Sequence, residues 1–176
     1  MVGLKHSRSL RFIGLALALT FYFSIGMPSS ESWAASKGNP FFALKGWWKG
    51  PGTISLSKGV KEKIICRVTY KLSKGGTIIA QQINCAGTDY RFSAFGDLIY
   101  RRGRLSGSFR EEKYNVSGKL SGTARRNGFR VRFTSDQFRG QVSVRLKGAR
   151  RHSLTISQYD AETKRYIPRV SIALRR

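Results

Sequence analysis

The chain has 176 residues and a formal charge of +24, with 33 Lys and Arg against 9 Asp and Glu. Its 2 cysteines and 2 histidines leave little material for a zinc site or a histidine relay, and its length suits one domain with a real core. The basic excess predicts attraction to polyanions and is silent on fold.

The N-terminus has the layout of a targeting segment. Lys5, Arg8 and Arg11 are basic, Leu10 to Gly26 is an apolar run short for a membrane span, and Ser32-Trp33-Ala34 puts small residues where a signal peptidase needs them. This predicts a signal peptide over residues 1–34, with an uncleaved N-terminal anchor as the alternative reading. No cysteine stands at the cut, which argues against lipoprotein processing. Residues 35–176 would then be a single exported domain, periplasmic or secreted, still strongly basic. His152 would be its one imidazole, and Cys66 and Cys85 its only thiols.

Next in the chain, Asn39-Pro40 predicts a helix cap and a first-turn proline, with Phe41, Phe42 and Leu44 making one short apolar turn. From there the pattern is a train of short strands with period-two alternation, separated by glycine and polar turns. Ile54 and Leu56 share a face; so do Cys66, Val68, Tyr70 and Leu72, and then Ile79, Ile83 and Cys85. Tyr90, Phe92 and Ala94 lead to an expected turn at Gly96-Asp97. Further alternating runs follow, from Leu105 to Phe109, Tyr114 to Leu120, Phe129 to Phe133, Val142 to Leu146, Leu154 to Ile156 and Val170 to Leu174. Pro168 cannot donate to a ladder and marks an edge or bulge near the start of the last strand. The segment Gly103 to Ser108 resembles Gly118 to Thr123, which reads as one local solution used twice, glycines permitting a tight bend. The expected fold is all-β: an antiparallel up-and-down β-barrel of about eight to ten strands, with a short N-terminal helical turn.

A single hairpin register aligns the apolar faces and the thiols together. A turn centred on Gly75-Gly76 sets Leu72 opposite Ile79, Tyr70 opposite Gln81, Val68 opposite Ile83, and Cys66 opposite Cys85. A four-residue loop, Lys74 to Thr77, makes the cysteines a close, non-hydrogen-bonded pair. In an oxidising compartment they are expected to form a disulfide, with two free, inert buried thiols as the alternative.

Catalytic constellations are sparse. No Cys/His spacing suggests a metal, no glycine-rich loop with phosphate-binding spacing precedes a helix, and Glu111 and Glu112 would point to opposite faces of a strand. His152 stands beside Arg151, a neighbour that disfavours its protonated form. No cofactor or metal is expected, and the chain is read as a non-enzymatic protein.

Gly46-x-Trp48 resembles the Gly-x-Trp signature that opens lipocalins and related calycin barrels. The resemblance implies a short helix before the first strand, Trp48 packed at the closed end of the barrel, and an arginine of the last strand stacked over it, Arg169 or Arg175. The chain is also similar in a general way to small exported proteins of Gram-negative bacteria with this cysteine-containing strand pattern, usually of unassigned function.

Hairpin order sorts the charges. The first, third and fifth tips of the second half hold Arg101, Arg102, Arg104, Arg125, Arg126, Lys147, Arg150 and Arg151, with no acid among them. The alternate tips mix Glu111, Glu112, Lys113, Asp136, Arg139, Asp160, Glu162, Lys164 and Arg165. A meander places the two sets at opposite ends and predicts a basic mouth for an anionic amphiphile, lipid head group, lipopolysaccharide or acidic protein. Peripheral membrane contact suits the same charge, and an exported setting argues against nucleic acid. Tyr70, Phe92, Phe109, Phe129 and Phe133 could line an interior cavity. The alternative is a structural envelope protein with a filled core, docking end-on to an anionic surface.

Overall fold

The computed structural model describes residues 38–56 and 59–176, which belong to one compact unit, Ala34–Arg176. The predicted signal peptide, residues 1–34, lies outside the described residues.

A one-turn helix, α1 (Phe41–Leu44), leads into ten strands: β1 (Gly46–Ser55), β2 (Lys61–Ser73), β3 (Ile78–Ala86), β4 (Arg91–Arg101), β5 (Arg104–Glu111), β6 (Val116–Arg125), β7 (Gly128–Thr134), β8 (Arg139–Leu146), β9 (Arg151–Asp160) and β10 (Arg165–Arg175). Each strand pairs antiparallel with the next, and β1 pairs with β10 to close the barrel. Closure leaves no sheet edge to aggregate. Alternation explains the strands: in β2, Ile64, Cys66, Val68 and Tyr70 face inward and are buried, while Lys63, Ile65 and Arg67 between them are exposed.

The β2–β3 hairpin has the register its apolar pattern demands, with Leu72 opposite Ile79, Tyr70 opposite Gln81, Val68 opposite Ile83 and Cys66 opposite Cys85. Lys74, Gly75 and Gly76 form the tip with left-handed φ of 46°, 63° and 81°, and Thr77 completes the four-residue loop. Cys66 and Cys85 are bonded inside the barrel, their Cα atoms 4.1 Å apart, as suits a non-hydrogen-bonded pair.

The expected turn at Gly96-Asp97 is not there. β4 runs straight through it, because both residues are held in ladders on two sides: Gly96 pairs with Gln81 and Phe109, and Asp97 with Ala80 and Ser108. The similar Gly103 and Gly118 segments fold onto each other in β5 and β6, with Gly107 opposite Leu120 and Leu105 opposite Gly122. A β-carbon on Gly107 would lie 1.8 Å from the carbonyl oxygen of Asp97, so the wall can bend this tightly only without one. At Pro168 the ladder shifts: Pro168 pairs with Ser157 and Val170 with Ile156, leaving Arg169 as the extra residue of a β-bulge.

An even number of strands fixes the polarity of the barrel. One end carries α1, the β2–β3, β4–β5, β6–β7 and β8–β9 turns, and the end of β10. The other carries the remaining turns.

Candidate functional site

The helix α1 plugs the first of these ends. Asn39 holds it twice: its carboxamide oxygen accepts the Phe41 N–H at 3.0 Å, and its amide donates to Gly76 O at 2.9 Å. Phe41 is fully buried and meets Tyr100 and Phe129 edge-on, with ring centres 6.1 and 6.2 Å away. Gly76 has a left-handed φ of +81°, and a β-carbon there would lie 2.2 Å from the Phe42 ring, so this turn glycine seats the plug.

Beneath the plug lies a packed aromatic knot. Trp48 is fully buried and donates its indole N–H to Leu44 O at 2.7 Å. His152 packs edge-on against it at 4.4 Å, and His152 Nε2 meets the Tyr70 hydroxyl at 3.1 Å. His152 Nδ1 has no partner among the described residues. Burial, and then the charge of Arg176, lower the His152 pKa to about 4. The expected direction is right, but the cation concerned is Arg176 and not its sequence neighbour Arg151. Burial also pushes the Tyr70 hydroxyl far above its usual range.

Over Trp48 lies the guanidinium of Arg176, 4.6 Å from the ring centre. The expected stacking partners, Arg169 and Arg175, are elsewhere. Arg175 faces solvent and Arg169 belongs to the far end, whereas Arg176 follows the last strand and can turn back under the barrel. It donates to Lys45 O at 2.9 Å and to Ala149 O at 3.0 Å, tying the segment after β10 to the residue between α1 and β1 and to the β8–β9 turn.

The opposite half of the barrel is hollow. A cavity of about 550 Å³ is walled mainly by apolar side chains, among them Ile83, Phe92, Leu98, Phe109, Phe129 and Phe133. Its loop residues, Leu56, Tyr90, Tyr114, Gln137 and Phe138, all come from the end away from α1, so the cavity opens there. Tyr70, expected in the lining, belongs instead to the aromatic knot under the plug. The bulge after Pro168 brings Arg169 to the cavity beside Val170, and its Nε donates to Gln158 at 3.2 Å. Sequence alternation alone gave no reason to place an arginine inside; the re-aiming by the bulge is the missing signal. At the rim, burial and then Tyr114 and Glu111 push the Tyr90 hydroxyl up to about 12. Glu111 itself accepts the backbone N–H groups of Lys113 and Tyr114.

The hairpin order brings Arg101, Arg102, Arg104, Arg125, Arg126, Lys147, Arg150 and Arg151 to a single end, all exposed. That end is the plugged one. The expected basic mouth is therefore divided in two: the cations ring the closed end, and the cavity opens at the end where the acids gather. The cause is α1, whose docking site determines which end is shut.

No family model and no curated protein matches the chain. Among solved structures it is similar to the crystal structure of Rv2717c from M. tuberculosis, with a TM-score of 0.60 and 14% sequence identity, over 76% of this chain and 92% of that one. At that identity the likeness is one of fold alone.

Proposed function

We propose that this chain is an exported, non-enzymatic binding protein that takes the apolar part of an amphiphile into its barrel. The observation that carries the reading is the cavity: about 550 Å³, walled by aliphatic and aromatic side chains and open at one end. Small-molecule sites typically have about 300–1,000 Å³ and this kind of lining, with a few polar groups to orient the ligand. Arg169 supplies the orienting group. Its Nε is held by Gln158, and its outer nitrogens would meet an acidic head at the rim in a charge-assisted pair.

Catalysis is disfavoured by where the titratable groups stand. His152 is locked under the plug, outside the cavity lining, and Glu111 is engaged by its own turn. Export is supported by the basic and apolar N-terminal pattern together with the buried disulfide. A calycin-like relationship is supported by Gly46-x-Trp48, the helix before the first strand and the Arg176–Trp48 stack. The ten strands depart from the eight of lipocalins. The alternative, a structural envelope protein with a filled core, draws on the packed half of the barrel but leaves the hollow half without a role.

Native mass spectrometry of the protein purified from its own envelope tests the reading. A retained amphiphile, or saturable uptake of Nile red that long-chain carboxylates displace, is the expected result. A chain that carries nothing and takes up no apolar probe would overturn it.

A further inference from the structure

We propose that the plugged end is a docking face for an anionic lipid bilayer, with Trp47 and Phe42 at headgroup depth and the cavity mouth turned away. This does not depend on what the cavity holds.

Charge is the first support. The three arginine pairs come from three separate hairpin turns, and Lys45, Lys74, Arg175 and Arg176 lie at the same end. Every acid of the described chain except Asp97, midway along β4, stands in the opposite half of the barrel. Among the described residues no acidic side chain stands on this face to repel a negatively charged surface.

Exposed aromatics beside unopposed cations favour a bilayer over other polyanions. Trp47 is 69% exposed on β1 and Phe42 is 42% exposed on α1, both at this end; the other end exposes Tyr114, Phe138 and Tyr166, but close in sequence to Glu112, Asp136 and Glu162. Indole and phenyl rings beside cations suit the headgroup layer, where one side of a ring is apolar and the other wet.

The test is co-sedimentation of protein purified from the cell envelope with vesicles of phosphatidylcholine alone, or with about one-third phosphatidylglycerol. Binding should need the anionic lipid and weaken steeply with salt. Replacing Arg125, Arg126, Arg150 and Arg151 with Gln should weaken it about 600-fold, at roughly fivefold per cation. Replacing Lys113, Lys164 and Arg165 with Gln, at the other end, should change it little. Tryptophan emission of the chain processed after Ala34, which lacks Trp33, should shift to the blue on anionic vesicles, and Trp47→Phe should remove the shift, because Trp48 is already buried. Equal binding to neutral vesicles, or loss of binding from the far-end substitutions, would overturn the proposal. So would tight binding to heparin with no emission change on vesicles, which would point to a soluble polyanion. A cavity that takes up Nile red in the four-Gln variant leaves the amphiphile reading intact whatever the vesicles show.

Discussion

Arg176 lies over the face of Trp48 with its guanidinium 4.6 Å from the ring centre, while two of its nitrogens hold the carbonyls of Lys45 and Ala149. One terminal side chain thus ties together the segment after α1, the β8–β9 turn and the buried tryptophan. Arg176→Ala should lower stability by about 1–2 kcal/mol, the range for an exposed cation–π contact with hydrogen bonds to carbonyls. Arg176→Lys should recover only part of this, since an ammonium lacks the planar fork. Urea denaturation followed by tryptophan fluorescence measures both; equal stability of the three proteins would refute the clamp.

Acid should weaken the barrel through His152. The unfolded chain takes up a proton at this residue near pH 6.5, the folded chain only near 4. Between those values the unfolded state binds more protons, so stability falls as pH drops, by up to about 3 kcal/mol. Above roughly pH 7.5, where the unfolded imidazole is also neutral, the residue contributes almost no slope. His152→Gln keeps a hydrogen-bonding partner for Tyr70 and should flatten the curve in that window. An unchanged slope in the variant would assign the acid sensitivity elsewhere.

Replacing both Cys66 and Cys85 with Ala should cost about 2–4 kcal/mol, mainly by freeing the unfolded chain. In the native protein neither thiol should alkylate without reductant. Two alkylated thiols in the unreduced protein would count against the bond.

The cavity and its cation are separable by substitution. Arg169→Gln should weaken binding of a long-chain carboxylate about tenfold and leave the matching alcohol unaffected. Ala94→Phe, which adds a ring to the cavity wall, should weaken both ligands together. Fluorescence displacement of Nile red reads each case, and an Arg169 variant that loses acid and alcohol equally would remove the head-group role.

Much of the fold was legible because β-patterning is local. The Cys66–Cys85 register follows from apolar residues at every second position around Gly75-Gly76, and Pro168 signals its bulge through its missing N–H. Hairpin parity was enough to gather the arginine pairs at one end. The open end was not legible, since it depends on α1 packing Phe41 against Tyr100 and Phe129, far along the chain. Gly96-Asp97 resembled a turn only because its ladder partners were invisible. Arg176 was overlooked because strand alternation stops before it, and Arg169 because a bulge suspends alternation where it occurs.

The separation of charge along the barrel axis has a dynamic consequence. A body with unopposed cations at one pole and mixed acids and bases at the other feels a torque, as well as a pull, in the field of a negative surface. It turns before it touches, so more of its encounters are productive than for a uniformly basic sphere of equal charge. That orientational bias belongs to the rate of arrival, and dissolved salt would erase it sooner than it erased the contact itself.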